Sequence, residues 1–421
     1  MPASRLEFET LPHGVFLQRV SDVTGTTSLD ARLGQGAFLA LRLVDLLGPE
    51  RPPVSDDAFH YQAVATDRFC RELRASGTEG AHVHGLVESA VAAWQRRDVG
   101  LVVPALFAYA HFLEDELRLE EAVDVLDTLV AVAADRLAPA DAVAARLQMA
   151  RVYRKMNQFD QADRFYEEAG ELAAAAGDKH SVLLSRIGRA ECTRGRGNLP
   201  EAERRLRTVL VDARAAGERD AMARAEHALG VVLYHRGRPT EAIPHAWRAF
   251  ALYGTEDSRL RALNDVGLML LSIGDVAGAE RALAQVVRHG GHDDNVSNAL
   301  IELMHCASFR RDRVGFARWR ERCEARLDAM PPNIRTDFYL KQGIGHARFG
   351  QFQRAQTSLK KALEVATAHG LHEFEFLIER ILGGLKDCQH ELAREAQPVP
   401  DAVLETAELR EVSDSLAQLA G

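Results

Sequence analysis

Aromatic residues make up only 6% of this 421-residue chain, cysteine occurs five times, and no apolar run approaches the length of a membrane span. Each scarcity excludes a class. A membrane helix needs about 20 predominantly apolar residues, whereas the most apolar stretch, AFLALRLVDLL (37–47), is short and carries Arg42 and Asp45. The five cysteines, Cys70, Cys192, Cys306, Cys323 and Cys388, are odd in number, scattered and free of any CxxC pair. They read as reduced residues of a cytoplasmic protein, not as a disulfide framework. Positive charge is not in excess either: a net charge of −9 argues against a whole-molecule nucleic-acid binder. The start of the sequence, MPASRLEFETLPHGVF, has no basic segment followed by an apolar core, so no secretory signal is expected.

Catalytic signatures are missing as well. There is no GxSxG elbow, no GxxxxGK[ST] phosphate loop and no HExxH. LGQG (33–36) has two of the three glycines of a nucleotide fingerprint and follows no strand. The expectation is a protein that is not an enzyme and carries no cofactor; an enzyme hidden in the first 100 residues is the dissenting reading.

What is present is a repeat. Alanines recur at Ala122, Ala162, Ala202, Ala242, Ala279, Ala317 and Ala355, at steps of 40, 40, 40, 37, 38 and 38 residues. With this anchor at position 20 of each unit, position 8 holds Ala110, Ala150, Ala190, Gly230, Gly267 and Gly343. Small residues at both places let two antiparallel helices approach closely. Position 15, where the first helix ends, is Gly197, Gly237, Gly274 and Gly350 in four units, and glycine there closes a helix in the left-handed conformation. Units of this kind cannot bury their apolar faces alone; stacked, they build one continuous core. The fold class is therefore all-α, an α-solenoid of stacked antiparallel helix pairs.

Around the repeat, residues 28–102 read as an N-terminal helical bundle, with helices from near Ser28 and over about 56–75 and 79–97, broken at GPERPPVS (48–55) by three prolines. Residues 1–27 hold two alternating runs, RLEFETL (5–11) and VFLQRV (15–20), that predict a small hairpin or a loose arm. The solenoid spans 103–395 as about seven units plus a closing helix at about 371–395. Residues 396–421 are a proline linker, AQPVPD, and an amphipathic helix with Leu409, Val412, Leu416 and Leu419 on one stripe. That stripe either folds back on the solenoid or docks a partner or a second copy, as in a homodimer.

The segments LGVVLYHRGRPTEA (229–242), VGLMLLSIGDVAGA (266–279), MARVYRKMNQFDQA (149–162) and QGIGHARFGQFQRA (342–355) resemble the tetratricopeptide repeat family. The spacing of 37–40 residues is longer than the family's usual 34 and is similar to a long-helix variety found in bacterial regulatory proteins. Two units depart from the pattern: Arg189 stands where an apolar residue is expected, and His305 and Asp312 stand at the glycine-type places of the unit anchored on Ala317. The resemblance implies a right-handed superhelix whose concave groove is lined by the first helix of each unit at positions 2, 5, 9, 12 and 13. Those places hold Arg151, Arg154, Lys155, Arg194, Arg224 and Arg261 in the central units, against Glu191 alone. His227, Tyr234, His235 and Asn264 share the stripe, while Glu114, Asp115, Glu302 and Asp337 make the outer units more acidic.

A row of guanidinium groups grips carboxylates through paired hydrogen bonds, so an extended acidic segment suits this groove. Cations in the last turn of a helix, such as Arg154, Lys155 and Arg194, are also favoured by the helix dipole whatever they bind. No metal is expected. His82 and His84 point to different faces; His289, His292, Asp293 and Asp294 read as a polar loop; His369, His372 and Glu373 offer no better set. Trp247 and Trp319 fall on second helices, where packing between units outweighs a ligand platform. Two functions follow: a non-catalytic scaffold or adaptor that binds a protein or peptide, or a sensory regulator whose solenoid changes shape on binding a peptide or small effector.

Overall fold

The first helices of the seven repeats all end in the same turn. Leu117, Asn157, Gly197, Gly237, Gly274, Arg311 and Gly350 all adopt left-handed backbone, with φ between 55° and 86°. In each turn the next residue's N–H donates back to a carbonyl of the last helical turn, as from Arg238 to Leu233 (3.0 Å) and from Gln351 to His346 (2.9 Å). This closure satisfies carbonyls that a helix end leaves open. Glycine takes the conformation without a Cβ penalty, so four of the seven were readable; Leu117, Asn157 and Arg311 adopt it at a cost.

The computed structural model describes residues 11–21, 28–49, 54–133, 136–291, 293–391 and 406–419, with backbone alone for 386–391. Among them every regular element is helical. The chain divides into two units, 1–198 and 199–421.

In the first unit a 3₁₀ turn, Gly14–Leu17, runs into α1 (Gln18–Ser21) and is followed by α2 (Leu29–Asp45), α3 (Asp56–Leu73) and α4 (Thr78–Arg96). Ser28 and Ser55 cap α2 and α3 by accepting from the N–H groups of Ala31 and Ala58. Then come α5 (Val103–Asp115), α6 (Leu119–Ala133), α7 (Pro139–Lys155), α8 (Phe159–Ala175) and α9 (Lys179–Gly195). The three bundle helices pack on one another, and α5 pairs with α6 and α7 with α8. One hydrophobic core runs unbroken from Phe16 through the bundle to Val152 of α7.

The segment VFLQRV is not a strand. Its alternation is overridden because Phe16, fully buried, stacks 6.2 Å from Tyr109, and the helical turn aims Arg19 inward. Arg19 grips Glu79 and Glu121 at 2.9 Å each, and His13 pairs with Asp124 at 2.6 Å and Asp45 at 3.3 Å. Residues 11–21 are thus a docked plug, and neither a hairpin nor a loose arm; most of RLEFETL lies outside the described residues. Burial alone would lower the His13 pKa, but the two carboxylates outweigh it and raise it from 6.5 to about 9. A group with a raised folded pKa contributes fully below 6.5 and loses that contribution as pH climbs towards 9. Amide exchange in residues 14–21 should therefore speed up between pH 6.5 and 9 beyond the chemical rate, and His13→Ala should abolish the difference.

The second unit contains α10 (Leu199–Ala216), α11 (Arg219–His235), α12 (Pro239–Leu252), α13 (Glu256–Ser272), α14 (Val276–His289), α15 (Asp293–Phe309), α16 (Arg313–Glu324), α17 (Pro332–Arg348), α18 (Phe352–Ala368), α19 (His372–Glu391) and α20 (Ala407–Leu419). The pairs α11–α12, α13–α14, α15–α16 and α17–α18 are the repeats, and α19 closes on α18. Ala122, Ala162, Ala202, Ala242, Ala279 and Ala355 are fully buried, as the anchor role requires. Ala317 is exposed. The turn at Arg311 moves the sixth unit's register back by one residue, so the anchor is Phe316, 3% exposed, lying where Gly345 leaves room for its ring.

The C-terminal helix folds back. Leu409, Val412 and Leu416 are buried, α20 packs on α12 and α14, and Gln285 donates to the Leu419 carbonyl at 2.9 Å. Three of the four stripe residues are covered by the chain itself, and Leu419 stays 40% exposed. The proline linker lies outside the described residues.

Candidate functional site

The first helices of the repeats carry the polar stripe. In the first unit two clusters form, each around a carboxylate. Glu114, from α5, is 3% exposed in its side chain and receives Arg151 through two hydrogen bonds of 2.6 and 2.7 Å and Lys155 at 3.0 Å. Burial works against its charge, yet Arg151 and Lys155 hold the Glu114 pKa down at about 2. Glu191, from α9, takes Arg154 at 3.2 Å and Arg194 at 3.3 Å. The structure therefore brings Arg151 together with Lys155, and Arg154 together with Arg194.

In the second unit Arg224 pairs with Asp220 at 2.7 Å, one turn away on α11. His227 bridges the Tyr253 hydroxyl (3.1 Å, through Nδ1) and the Asp265 carboxylate (2.7 Å, through Nε2). Arg261 and Arg224 lie beside Tyr253, whose pKa is raised because burial outweighs those two cations. Tyr234 is half-buried, and its ring meets that of the exposed His235 edge to face at 5.8 Å.

In the first unit four cations share two carboxylates, Glu114 and Glu191, and in the second Arg224 is answered by Asp220. The stripe is less positive than its first helices suggested. Three buried atoms of these side chains, Arg154 Nε, Arg194 Nε and Asn264 Oδ1, have no hydrogen-bond partner within the protein, although both guanidinium groups are paired with Glu191. Buried polar groups are nearly always paired in folded proteins.

Sequence reasoning passed over Arg348, His305, Ser308 and Phe309. Arg348 already stood at position 13 of its unit. The one-residue register error hid the other three, which occupy positions 9, 12 and 13 once Phe316 is the anchor. Arg189 is satisfied by Asp163 and Glu167, at 3.0 Å each, which is how a charged residue is accommodated at an apolar place.

The remaining candidates resolve into structure. His84 pairs with Asp67 and His82 packs on Phe112. Trp247 packs 5.0 Å from Phe250, and Trp319 lies against the α15–α17 core under Arg318 and Arg322. His292 is outside the described residues, among which no three metal-ligating side chains cluster. Cys70, Cys192, Cys306 and Cys323 are buried free thiols, and burial raises the pKa of each. No helix among the described residues is long and apolar enough to cross a membrane.

The repeated turn, the buried anchor alanines and the paired helices define a tetratricopeptide repeat fold. The tetratricopeptide repeat family model matches residues 143–175, the segment that contains Arg151, Arg154 and Lys155. No curated protein sequence matches the chain. Among solved structures, the chain is similar to the Rap conjugation gene regulator of the plasmid pLS20 in complex with the Phr* peptide, at 10% identity and a TM-score of 0.50, over 79% of this chain and 97% of that one. It is also similar to aspartyl phosphate phosphatase F from Bacillus subtilis, at 14% identity and 0.49 over 82% and 95%. A third is NprR in complex with its cognate peptide NprX, at 12% identity and 0.46 over 80% and 86%. At these identities the likeness is one of fold.

Proposed function

We propose that this chain is a non-catalytic, cytoplasmic peptide-binding module that holds an extended, acidic segment along its first-helix stripe, at Arg151, Arg154, Lys155, Arg194, Arg224, His227, Tyr234, His235, Arg261 and Asn264. The observation that carries this reading is that the paired cations of the first unit stay partly exposed, the side chains of Arg151, Lys155, Arg154 and Arg194 being 38, 33, 26 and 27% exposed. A bound carboxylate would accept from the N–H groups that these pairs leave facing solvent. The regulator of similar fold was solved with a peptide, which supports the same reading. Organisation into an N-terminal segment (1–27), helical bundle (28–102), solenoid (103–395) and a C-terminal linker and helix (396–421) belongs to this proposal.

The test uses a synthetic pool of random heptapeptides passed over the immobilised full-length protein. Sequences rich in Asp and Glu should be retained at low salt and released as salt rises, because partly exposed charge pairs are screened within about 8–10 Å. Arg154→Gln with Arg194→Gln should weaken retention by roughly 30-fold, the equivalent of about 2 kcal/mol, with helicity unchanged. Retention that ignores both salt and the double substitution would refute the stripe as the binding surface.

A second reading, a sensory regulator with the bundle as output, is favoured by the unbroken core from Phe16 to Val152. Movement of the first repeats would carry directly into the bundle. Small-angle scattering with and without a retained peptide distinguishes the two, since a sensor changes its dimensions and a passive scaffold does not.

A further inference from the structure

Two cations lie on α17, and the packing against α15 treats them oppositely. Lys341 has two carboxylates, Asp337 at 2.7 Å and Glu302 in direct contact. Arg348, two turns on, has none: among the described residues no Asp or Glu comes within ion-pair distance of it. Its guanidinium stacks on the Phe309 ring, 3.5 Å from the centroid, and Nη1 donates to Ser308 Oγ at 2.7 Å and to Nδ1 of His305 at 3.4 Å. Both partners are neutral. His305 is kept uncharged by burial first and by Arg348 and Lys341 second.

A half-buried cation without a counter-charge is expensive to keep, and burial alone lowers the Arg348 pKa to about 10. The stacking and the Ser308 bond fix the plane of the group, so the rest of its donor fork is already oriented. A planar fork held in this way matches a carboxylate, which accepts two parallel N–H bonds and supplies the missing charge. The geometry points to Arg348, with His305, Ser308 and Phe309, as a carboxylate-binding subsite that anchors one end or one acidic side chain of a peptide. All four residues occupy groove positions of adjacent repeats, α15–α16 and α17–α18. The inference rests on the peptide-binding reading and adds a fixed anchoring point to it.

The heptapeptide pool is prepared in two halves, one with free C-termini and one amidated, and retained peptides are sequenced by mass spectrometry. The wild-type protein should retain peptides that share one carboxylate. Loss in the amidated half identifies the C-terminal carboxylate, and a fixed Asp or Glu in both halves identifies a side chain. Arg348→Met should reduce that preference at least tenfold while preserving selection at other positions. Arg348→Lys keeps the charge without the fork and should retain only part of the preference, so the test stands even where the methionine variant loses helicity. An unchanged preference in both variants, or equal retention of amidated peptides without Asp or Glu, overturns the subsite and leaves the groove reading intact. No retention of any peptide by the wild type overturns both.

Discussion

Leucine at Gly267 or Gly343 is expected to lower the melting temperature of the protein by roughly 3–6 °C, from a loss of about 3 kcal/mol. The glycines sit where paired helices cross. A methyl group at Gly267 would lie 2.7 Å from Leu283 Cγ, and one at Gly343 would lie 2.7 Å from Leu359 Cγ and 3.2 Å from the Ala355 carbonyl. Gly230 differs in kind, because its nearest neighbours are the Ala246 nitrogen and the Ala242 oxygen, at 3.2 and 3.3 Å, and backbone cannot rotate away. Gly230→Leu should therefore be at least as damaging. Gly383 provides the control: nothing lies within 4 Å of an added methyl, and alanine there should be neutral or stabilise by up to about 1 kcal/mol. Calorimetry of the four variants separates overpacking at the crossings from a general intolerance of substitution. Parent-like melting of Gly267→Leu would show that the helices do not cross there.

The second large effect concerns Glu114. Glu114→Gln removes the charge that Arg151 and Lys155 share and should cost about 2–3 kcal/mol, less than a fully buried pair because both cations reach solvent. The same carboxylate sets an acid limit. Its folded pKa of about 2 lies below the usual 4.5, so its contribution is complete above pH 4.5 and is lost as pH falls towards 2. Denaturant titrations between pH 5 and 3 should show a steeper fall in stability for the parent than for the variant. The substitution also releases two cations onto the stripe, so an acidic heptapeptide should bind the folded variant more tightly. Equal acid sensitivity in the two proteins would remove Glu114 from its assigned role.

The parts of the fold that were legible rest on residues whose constraint is local. A left-handed turn selects glycine and a helix crossing selects alanine or glycine, so six of the seven anchors could be placed from residue size alone. The sixth unit misled for the same reason. Ala317 is small and lies next to the real anchor, Phe316, while the turn at Arg311 uses a residue that carries no signal for left-handed backbone. The helical turn at VFLQRV was not legible locally, where a small hairpin or a loose arm was expected, because its partners lie far along the chain: Tyr109 for Phe16, and Glu79 and Glu121 for Arg19.

The site was legible as a stripe but not as a set of pairs. Its pairs between helices join residues one repeat apart: Arg151 with Glu114 and Arg154 with Glu191 are 37 residues apart, and His227 with Asp265 is 38 apart. The period that identifies the repeat therefore also names which side chains face each other across adjacent first helices. Reading the cations without that offset overstated the positive charge and left Arg348, a cation without a counter-charge, unnoticed.

The most direct test of the groove is hydrogen–deuterium exchange of the full-length protein with the most strongly retained heptapeptide. Binding along the first-helix stripe predicts slower exchange in α7, α9, α11 and α13, with the second helices α8, α10, α12 and α14 unchanged. Protection confined to those second helices, or to α20, would contradict it.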